Sequence, residues 1–149
     1  MKKALIKILL IMAGVIFFDL VSKILIERYW PRAVSKNAGF IFGFGQIPAS
    51  YLVVFILFLA ILALAYFLMS TLNLAKYINW LGTALLLGGA VSNLIDRIFD
   101  FRVIDFISIP LISKFNLADI CIILGVILLV WEQFASRRAN RDEVQDRSY

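Results

Sequence analysis

Carboxylates are concentrated in one stretch of this chain, residues 93–119. Four of the ten acidic residues lie there: Asp96, Asp100, Asp105 and Asp119. Strongly apolar segments flank the stretch, and a carboxylate at membrane depth costs about 3 kcal/mol or more, so acids there are candidates for function. Two carboxyls that face each other in a partly dry site share one proton. One can then take a proton from water while the other donates to a carbonyl oxygen, as in an aspartyl protease.

Asp105 and Asp119 are the predicted working pair, because no basic residue has an obvious local pairing position. Arg102 reaches Asp105 only if that loop is helical, and Lys114 precedes Asp119 by five residues. The alternative is that both are interfacial acids solvated by lipid headgroups and water.

The remaining composition excludes most other hydrolytic chemistry. The chain has no histidine and one cysteine, Cys121, which excludes histidine-dependent nucleophile systems, the usual zinc sites and an internal disulfide. Cys121 lies in an apolar run typical of a packed thiol. A metal held only by oxygen ligands and a Ser-Lys pair remain open. Ser22 and Lys23 point to different helix faces, whereas a distant lysine could still serve another serine: Ser92, Ser108 or Ser113.

Composition predicts a single integral membrane domain over residues 1–149. The chain is 62% hydrophobic with a mean hydropathy of +0.93, above the range of soluble domains. Four apolar segments approach the roughly 20 residues needed to cross a bilayer; they cover residues 4–26, 51–69, 77–95 and 117–135. The first resembles a signal peptide but lacks a small-x-small cleavage site, so we expect it to be retained. Residues 136–149 are predicted to form a charged, frayed cytoplasmic tail.

Basic residues indicate the orientation of the four spans. With both termini in the cytoplasm, eight basic residues lie inside and five outside, Lys23 and Arg97 being set aside at span ends. The net charge of +5 is therefore interpreted as a topology signal, and no nucleic acid partner is expected. This orientation brings the unusual polar residues together at the outer leaflet. Short strand-like segments are expected in the outer loops, between helices 1 and 2 and between helices 3 and 4.

Two groups of polar residues share helix faces near that outer end. Asp19 and Lys23 are four residues apart and can pair; the pair either neutralises a polar helix end or shapes the site. Asn93, Asp96 and Arg97 share a second face, where Asp96 and Arg97 either close the helix as an ion pair or contribute to the chemistry.

These residues form an ordered series of five motifs that resembles signal peptidase II, the bacterial lipoprotein signal peptidase family. The motifs occupy residues 19–23, 37–39, 88–97, 103–106 and 115–119. The resemblance implies that Asp105 and Asp119 are the catalytic aspartates. It implies supporting or substrate-binding roles for the following residues: Asp19, Lys23, Asn37, Gly39, Asn93, Asp96, Arg97, Asn116 and Ala118. The chain departs from the family at Ser92, where glycine is usual, and at residues 40–42, where small residues are usual.

The resemblance also implies the reaction. The substrate would be a prolipoprotein with diacylglycerol on a cysteine, cleaved just before that cysteine at the outer leaflet of the bacterial inner membrane. Water would be the nucleophile, with no metal or cofactor, and substrate and membrane lipids would be the partners of a monomer. Two alternatives from other classes are a proton-coupled transporter that uses the same aspartates as relays and a non-catalytic assembly factor. We see no inverted repeat of the kind transporters show, and an assembly factor leaves the carboxylates unexplained.

Overall fold

The computed structural model describes residues 2–37, 51–74, 76–110 and 112–146. Within these residues lie four long helices and four short strands. The helices are α1 (Lys2–Tyr29), α2 (Tyr51–Thr71), α3 (Tyr77–Asp100) and α4 (Leu117–Asp146). The strands are β1 (Ser35–Asn37), between α1 and α2, and β2 (Val103–Asp105), β3 (Ile107–Ile109) and β4 (Ile112–Phe115), between α3 and α4.

Each of the four described helices is long and apolar enough to cross a membrane. Their outward faces expose large hydrophobic side chains, including Phe18, Phe58 and Trp131, as expected of surfaces that face lipid rather than water. Strands join the helices in the two predicted places. The predicted all-α membrane architecture with small strand-like segments is therefore confirmed.

The prediction of a frayed tail after residue 135 is wrong over most of its length, because α4 continues to Asp146. Residues 136–146 include alanine, arginine, glutamate and glutamine, which are good helix formers. Extension of an existing helix also avoids the cost of nucleating a new one. The charge of this segment and its lack of an apolar face indicate that it lies outside the membrane span, but they do not end the helix.

Helix α3 is the central helix of the bundle and packs against α1, α2 and α4. Small residues on two of its faces allow this. A Cβ at Gly88 would approach Val15 of α1 to 3.1 Å, and one at Gly89 would collide with the Ala118 carbonyl oxygen of α4. Close approach of this kind is a common packing device in membranes, where small residues maximise van der Waals contact.

The strands direct the chain back over one end of the bundle. Helix α3 ends at Asp100 and is followed by Phe101, whose φ of 53° is in the left-handed region and whose N–H donates to the Arg97 carbonyl oxygen. This reversal leads into β2, which pairs antiparallel with β1 so that Ser35 lies opposite Asp105. Strands β3 and β4 form a second antiparallel pair. We call this end, with the last turns of α1 and α3 and the start of α4, the strand end.

Candidate active site

The described members of the predicted site come together at the strand end from five elements. Asp19 and Lys23 lie on α1, and Asn37 ends β1. Asn93, Asp96 and Arg97 lie on α3. Asp105 ends β2, Asn116 directly precedes α4, and Ala118 and Asp119 lie in the first turn of α4. Gly39 and residues 40–42 lie outside the described residues, so the role predicted for Gly39 stays a prediction.

Asp105 is almost completely buried, with 2% of its surface exposed. Its two carboxylate oxygens accept hydrogen bonds from Asn37 Nδ2 at 3.0 Å and from Asn116 Nδ2 at 2.8 Å. Burial raises the pKa of Asp105 to about 6; the two amides oppose this rise, and the nearby charge of Asp119 adds to it. The electrostatic coupling of the two carboxyls is what a proton-sharing pair requires.

Asp119 is held by the geometry of a helix start. Asn116 precedes the first residue of α4, and its side-chain oxygen accepts the Asp119 N–H at 2.9 Å. The Asp119 carboxylate accepts the Asn116 N–H in return at 3.3 Å. This reciprocal pair has the arrangement of a capping box, with Asn and Asp in place of the usual Ser/Thr and Glu. Asn93 Nδ2 fixes the second carboxylate oxygen of Asp119 at 2.8 Å.

A buried ion network supports these residues from the side of α1. Lys23 has 1% of its surface exposed, and its Nζ lies 2.5 Å from Asp19 and 2.7 Å from Asp96. It also donates to Asn93 Oδ1 at 3.2 Å. The predicted pairing of Asp19 with Lys23 is confirmed, whereas the partner that Lys23 provides for Asp96 was not anticipated. Three acceptors occupy its three N–H groups, which makes Lys23 unsuited to activate a serine.

Asp19 also reaches across to α4. Its Oδ1 accepts the backbone N–H of Ala118 at 2.8 Å, and its Oδ2 accepts the Ser92 hydroxyl at 2.7 Å. A carboxylate at a helix N-terminus satisfies an unpaired N–H and is favoured by the helix dipole. From the sequence, Ser92 was expected only to depart from the family pattern and to be a possible nucleophile. Ser92 and Asp19 are 73 positions apart in the chain, so the local sequence around Ser92 could not predict this hydrogen bond.

Arg97 brings positive charge to the same place. Its Nη1 donates to the Asn93 carbonyl oxygen at 3.1 Å, and its charge acts on both Asp119 and Asp105. One positive group beside two carboxyls favours a site that carries at least one negative charge.

A cavity of about 380 Å³ opens beside the two aspartates, within the range of ligand sites. The polar part of its wall includes Asn37, Asn93, Arg97, Asp105, Lys114 and Asp119. The apolar part comes from α2, α3, α4 and β2 and includes Leu57, Ile61, Leu94, Val103 and Ile122. Such a cavity offers apolar surface for a hydrophobic chain and a polar wall for a peptide bond.

The opposite end of the bundle holds a separate polar cluster. Lys76 Nζ lies 2.6 Å from Glu132 Oε1 and donates to the Ser136 hydroxyl at 2.7 Å, tying the start of α3 to α4. Cys121 is partly buried in α4. Among the described residues, no group of three or more His, Cys, Asp or Glu side chains is placed to hold a metal ion. The expectation that no metal or cofactor is needed stays a prediction.

Comparison with known proteins gives concordant matches. A chain described as a bacterial membrane enzyme has the same fold, with a TM-score of 0.73 and 25% identity over 88% of this chain and 89% of that one. The chain is thus a multi-pass membrane protein. The lipoprotein signal peptidase of Pseudomonas putida is 30% identical over 130 residues, which are 83% of this chain and 75% of the relative.

The lipoprotein signal peptidase of Bartonella quintana is 38% identical over 103 residues, which are 66% of this chain. The match spans 61% of that relative, and in several others the chain likewise spans less than two thirds of the relative's length. The family model for signal peptidase II matches residues 11–135, a range that contains every residue of the predicted site. The chain is therefore a member of the signal peptidase II family.

Proposed function

We propose that this chain is an aspartyl endopeptidase that removes the signal peptide from prolipoproteins carrying diacylglycerol on a cysteine. The bond cleaved lies just before that cysteine. One observation carries the proposal: Asp105 and Asp119 line one cavity, and Asn116 is hydrogen-bonded to both. Family membership supports the substrate class, since the relatives are named lipoprotein signal peptidase.

In the proposed reaction the two carboxyls share one proton, and Asp105 carries it when the scissile bond is attacked. Burial raises the pKa of Asp105 to about 6, so this carboxyl takes up a proton more readily than an ordinary aspartate does. Asp119 takes a proton from water as the water oxygen attacks the scissile carbonyl carbon, while Asp105 donates its proton to the carbonyl oxygen. Collapse of the tetrahedral intermediate breaks the C–N bond. Asp119 gives its proton to the leaving amine, and the former carbonyl oxygen returns its proton to Asp105.

The surrounding residues have two tasks in this scheme. Asn37, Asn93 and Asn116 donate to the carboxylate oxygens, which fixes the direction in which each carboxyl faces the substrate. Arg97 stabilises the negative charge that the pair carries in the resting state. Since the donors are in place before the substrate binds, little reorganisation is needed during the reaction.

The site is proposed to face the outer leaflet of the bacterial inner membrane, with both termini in the cytoplasm. The enzyme is proposed to act as a monomer. The excess of basic residues on the opposite side supports this orientation. The diacylglycerol of the substrate would remain in the leaflet, and the apolar wall of the cavity, which includes Leu57 and Ile122, is suited to the hydrophobic signal peptide.

The test is separate replacement of Asp105 and Asp119 by asparagine, with processing of a diacylglyceryl-modified preprotein measured at matched expression. Each variant should lower cleavage by about 10²-fold or more, the usual scale for loss of a general acid or base. Asp100→Asn is the matched control, because Asp100 lies at the same end, is half exposed and pairs with Lys36. Retained cleavage in either variant would contradict the proposal. Loss of proton flux with cleavage intact would favour the transporter.

A further inference from the structure

Ser92 is a fully buried residue of α3, with 0% of its surface exposed. Its hydroxyl donates to Asp19 Oδ2 at 2.7 Å. The next residue, Asn93, binds Asp119 directly. Ser92 does not line the cavity, so any effect on the reaction has to pass through another residue.

The hydroxyl contributes to a fixed arrangement around Asp19. One oxygen of that carboxylate is shared by Lys23 and Ser92, and the other accepts the Ala118 N–H at 2.8 Å. The direction of a buried carboxylate is fixed when donors occupy both of its oxygens. With Oδ2 held from α1 and α3, Oδ1 is directed at the first turn of α4. Asp19 thereby holds that turn from another helix.

The held turn carries the proposed base. Ala118 immediately precedes Asp119, and α4 has its capping bonds at the same place. A small rotation of this turn would move the Asp119 carboxylate relative to Asp105. We propose that Ser92 is a positioning residue, which aligns Asp119 with Asp105 through Asp19 and the Ala118 N–H. The effect on catalysis rests on the proposed function. The ordering of the first turn of α4 by Ser92 does not.

The first experiment measures both kinetic constants of Ser92→Ala with a diacylglyceryl-modified preprotein in detergent. We expect kcat to fall roughly threefold to tenfold. This is less than the tenfold or more that a lost hydrogen bond to a charged group can cost, because the effect reaches Asp119 only through Asp19 and the Ala118 N–H. KM should stay within about twofold, because the cavity wall is unchanged. Thr83→Val is the matched control. Thr83 is equally buried on the same helix, and its hydroxyl has no hydrogen-bond partner among the described residues. An unchanged kcat in Ser92→Ala, or an equal fall in Thr83→Val, would overturn the proposal.

A double-mutant cycle separates positioning from general loss of packing. In an Asp19→Asn background the carboxylate that Ser92 orients is absent. The further change of Ser92 to alanine should therefore lower kcat much less than it does in the native chain. An equal fall in kcat in both backgrounds would mean that Ser92 acts independently of Asp19 and would overturn the inference.

The second experiment does not depend on activity. Hydrogen exchange at the Ala118 amide should be faster in Ser92→Ala than in the native chain, and unchanged in Thr83→Val. Unchanged protection of Ala118 in Ser92→Ala would overturn the inference even if the enzyme assignment holds. If the native chain and Thr83→Val both fail to cleave, the proposed function fails, and Ala118 exchange still decides whether Ser92 orders this turn.

Discussion

The side-chain amide of Asn116 donates to Asp105 at 2.8 Å, while its oxygen accepts the N–H of Asp119 at 2.9 Å. One residue thus holds both members of the proposed pair, the first from β2 and the second from the start of α4. Its amide also donates to Asn93 Oδ1 at 3.2 Å, which connects the pair to the Lys23 network. Asn116 is therefore the residue whose loss should disturb both aspartates together.

Replacement of Asn116 by alanine should lower cleavage by roughly 10-fold to 100-fold, because it removes hydrogen bonds to both aspartates and leaves buried groups unpaired. The measurement is kcat for a lipid-modified preprotein, normalised to folded protein. Asn79→Ala is the matched control, since Asn79 is a buried asparagine near the other end of α3, where it donates to the Asn73 carbonyl oxygen. Equal losses in the two variants would argue against a special role for Asn116.

Removal of the buried ammonium should destabilise the fold strongly. Lys23→Met would leave Asp19 and Asp96 buried without their common partner, at a cost of about 3–5 kcal/mol in the free energy of unfolding. Lys36→Met should cost at most about 1 kcal/mol, because Lys36 pairs with Glu27 and Asp100 at the exposed surface. Unfolding in mixed micelles would measure both, and similar losses would show that the buried network contributes no more than the surface one.

Stability should depend on the protonation of Asp105. Burial raises the pKa of Asp105 from 3.8 to about 6. Between pH 6 and pH 4 the folded state therefore binds a proton at Asp105, whereas the unfolded state does not. Stability should therefore rise as pH falls through 6 and should level off near 4. The gain is on the order of 2–3 kcal/mol.

The check is the difference in unfolding free energy between the native chain and Asp105→Asn, measured from pH 4 to pH 7. Groups that do not interact with Asp105 cancel in this difference, which should change with pH because of Asp105 and the Asp119 carboxyl coupled to it. A difference that does not vary with pH would mean that the pKa of Asp105 is not raised in the folded state.

The approach of α3 to α4 should not tolerate a side chain at Gly89. Alanine there would collide with the Ala118 carbonyl oxygen and lie 2.8 Å from Ile122, which should cost about 1–3 kcal/mol by overpacking. It should also lower cleavage by displacing the turn that carries Asp119. Gly14→Ala is the control, because a Cβ there meets nothing within 4 Å and alanine favours a helix by up to about 1 kcal/mol. Thermal unfolding and cleavage would be measured for both, and an unaffected Gly89→Ala would contradict the close packing.

The four helices could be predicted from the sequence, and the residues of the candidate site could be placed at one end of the bundle, because both depend on local signals. Long apolar runs indicate spans, and the spacing of Asp19 and Lys23 indicates one helix face. Polar residues at span ends predicted which side chains would lie at the same end of the bundle. The extension of α4 to Asp146 was missed because charge marks the end of a span but not the end of a helix.

The partners of those residues could not be predicted, because they depend on how the helices pack. Lys23 pairs with Asp96 because α1 and α3 approach where small residues allow it, a geometry that no sequence spacing encodes. The same holds for the bond from Ser92 to Asp19 and for the cluster of Lys76 with Glu132.

The bond between Asp19 and the Ala118 N–H joins residues 99 positions apart. During synthesis the first span is therefore made long before the backbone group that its carboxylate will bind, and before the third helix delivers Asp96. A nascent chain that has inserted only its first three segments lacks both Asp119 and the amide that orders it. The proposed peptidase activity can therefore arise only after the fourth segment has entered the bilayer and packed against the first.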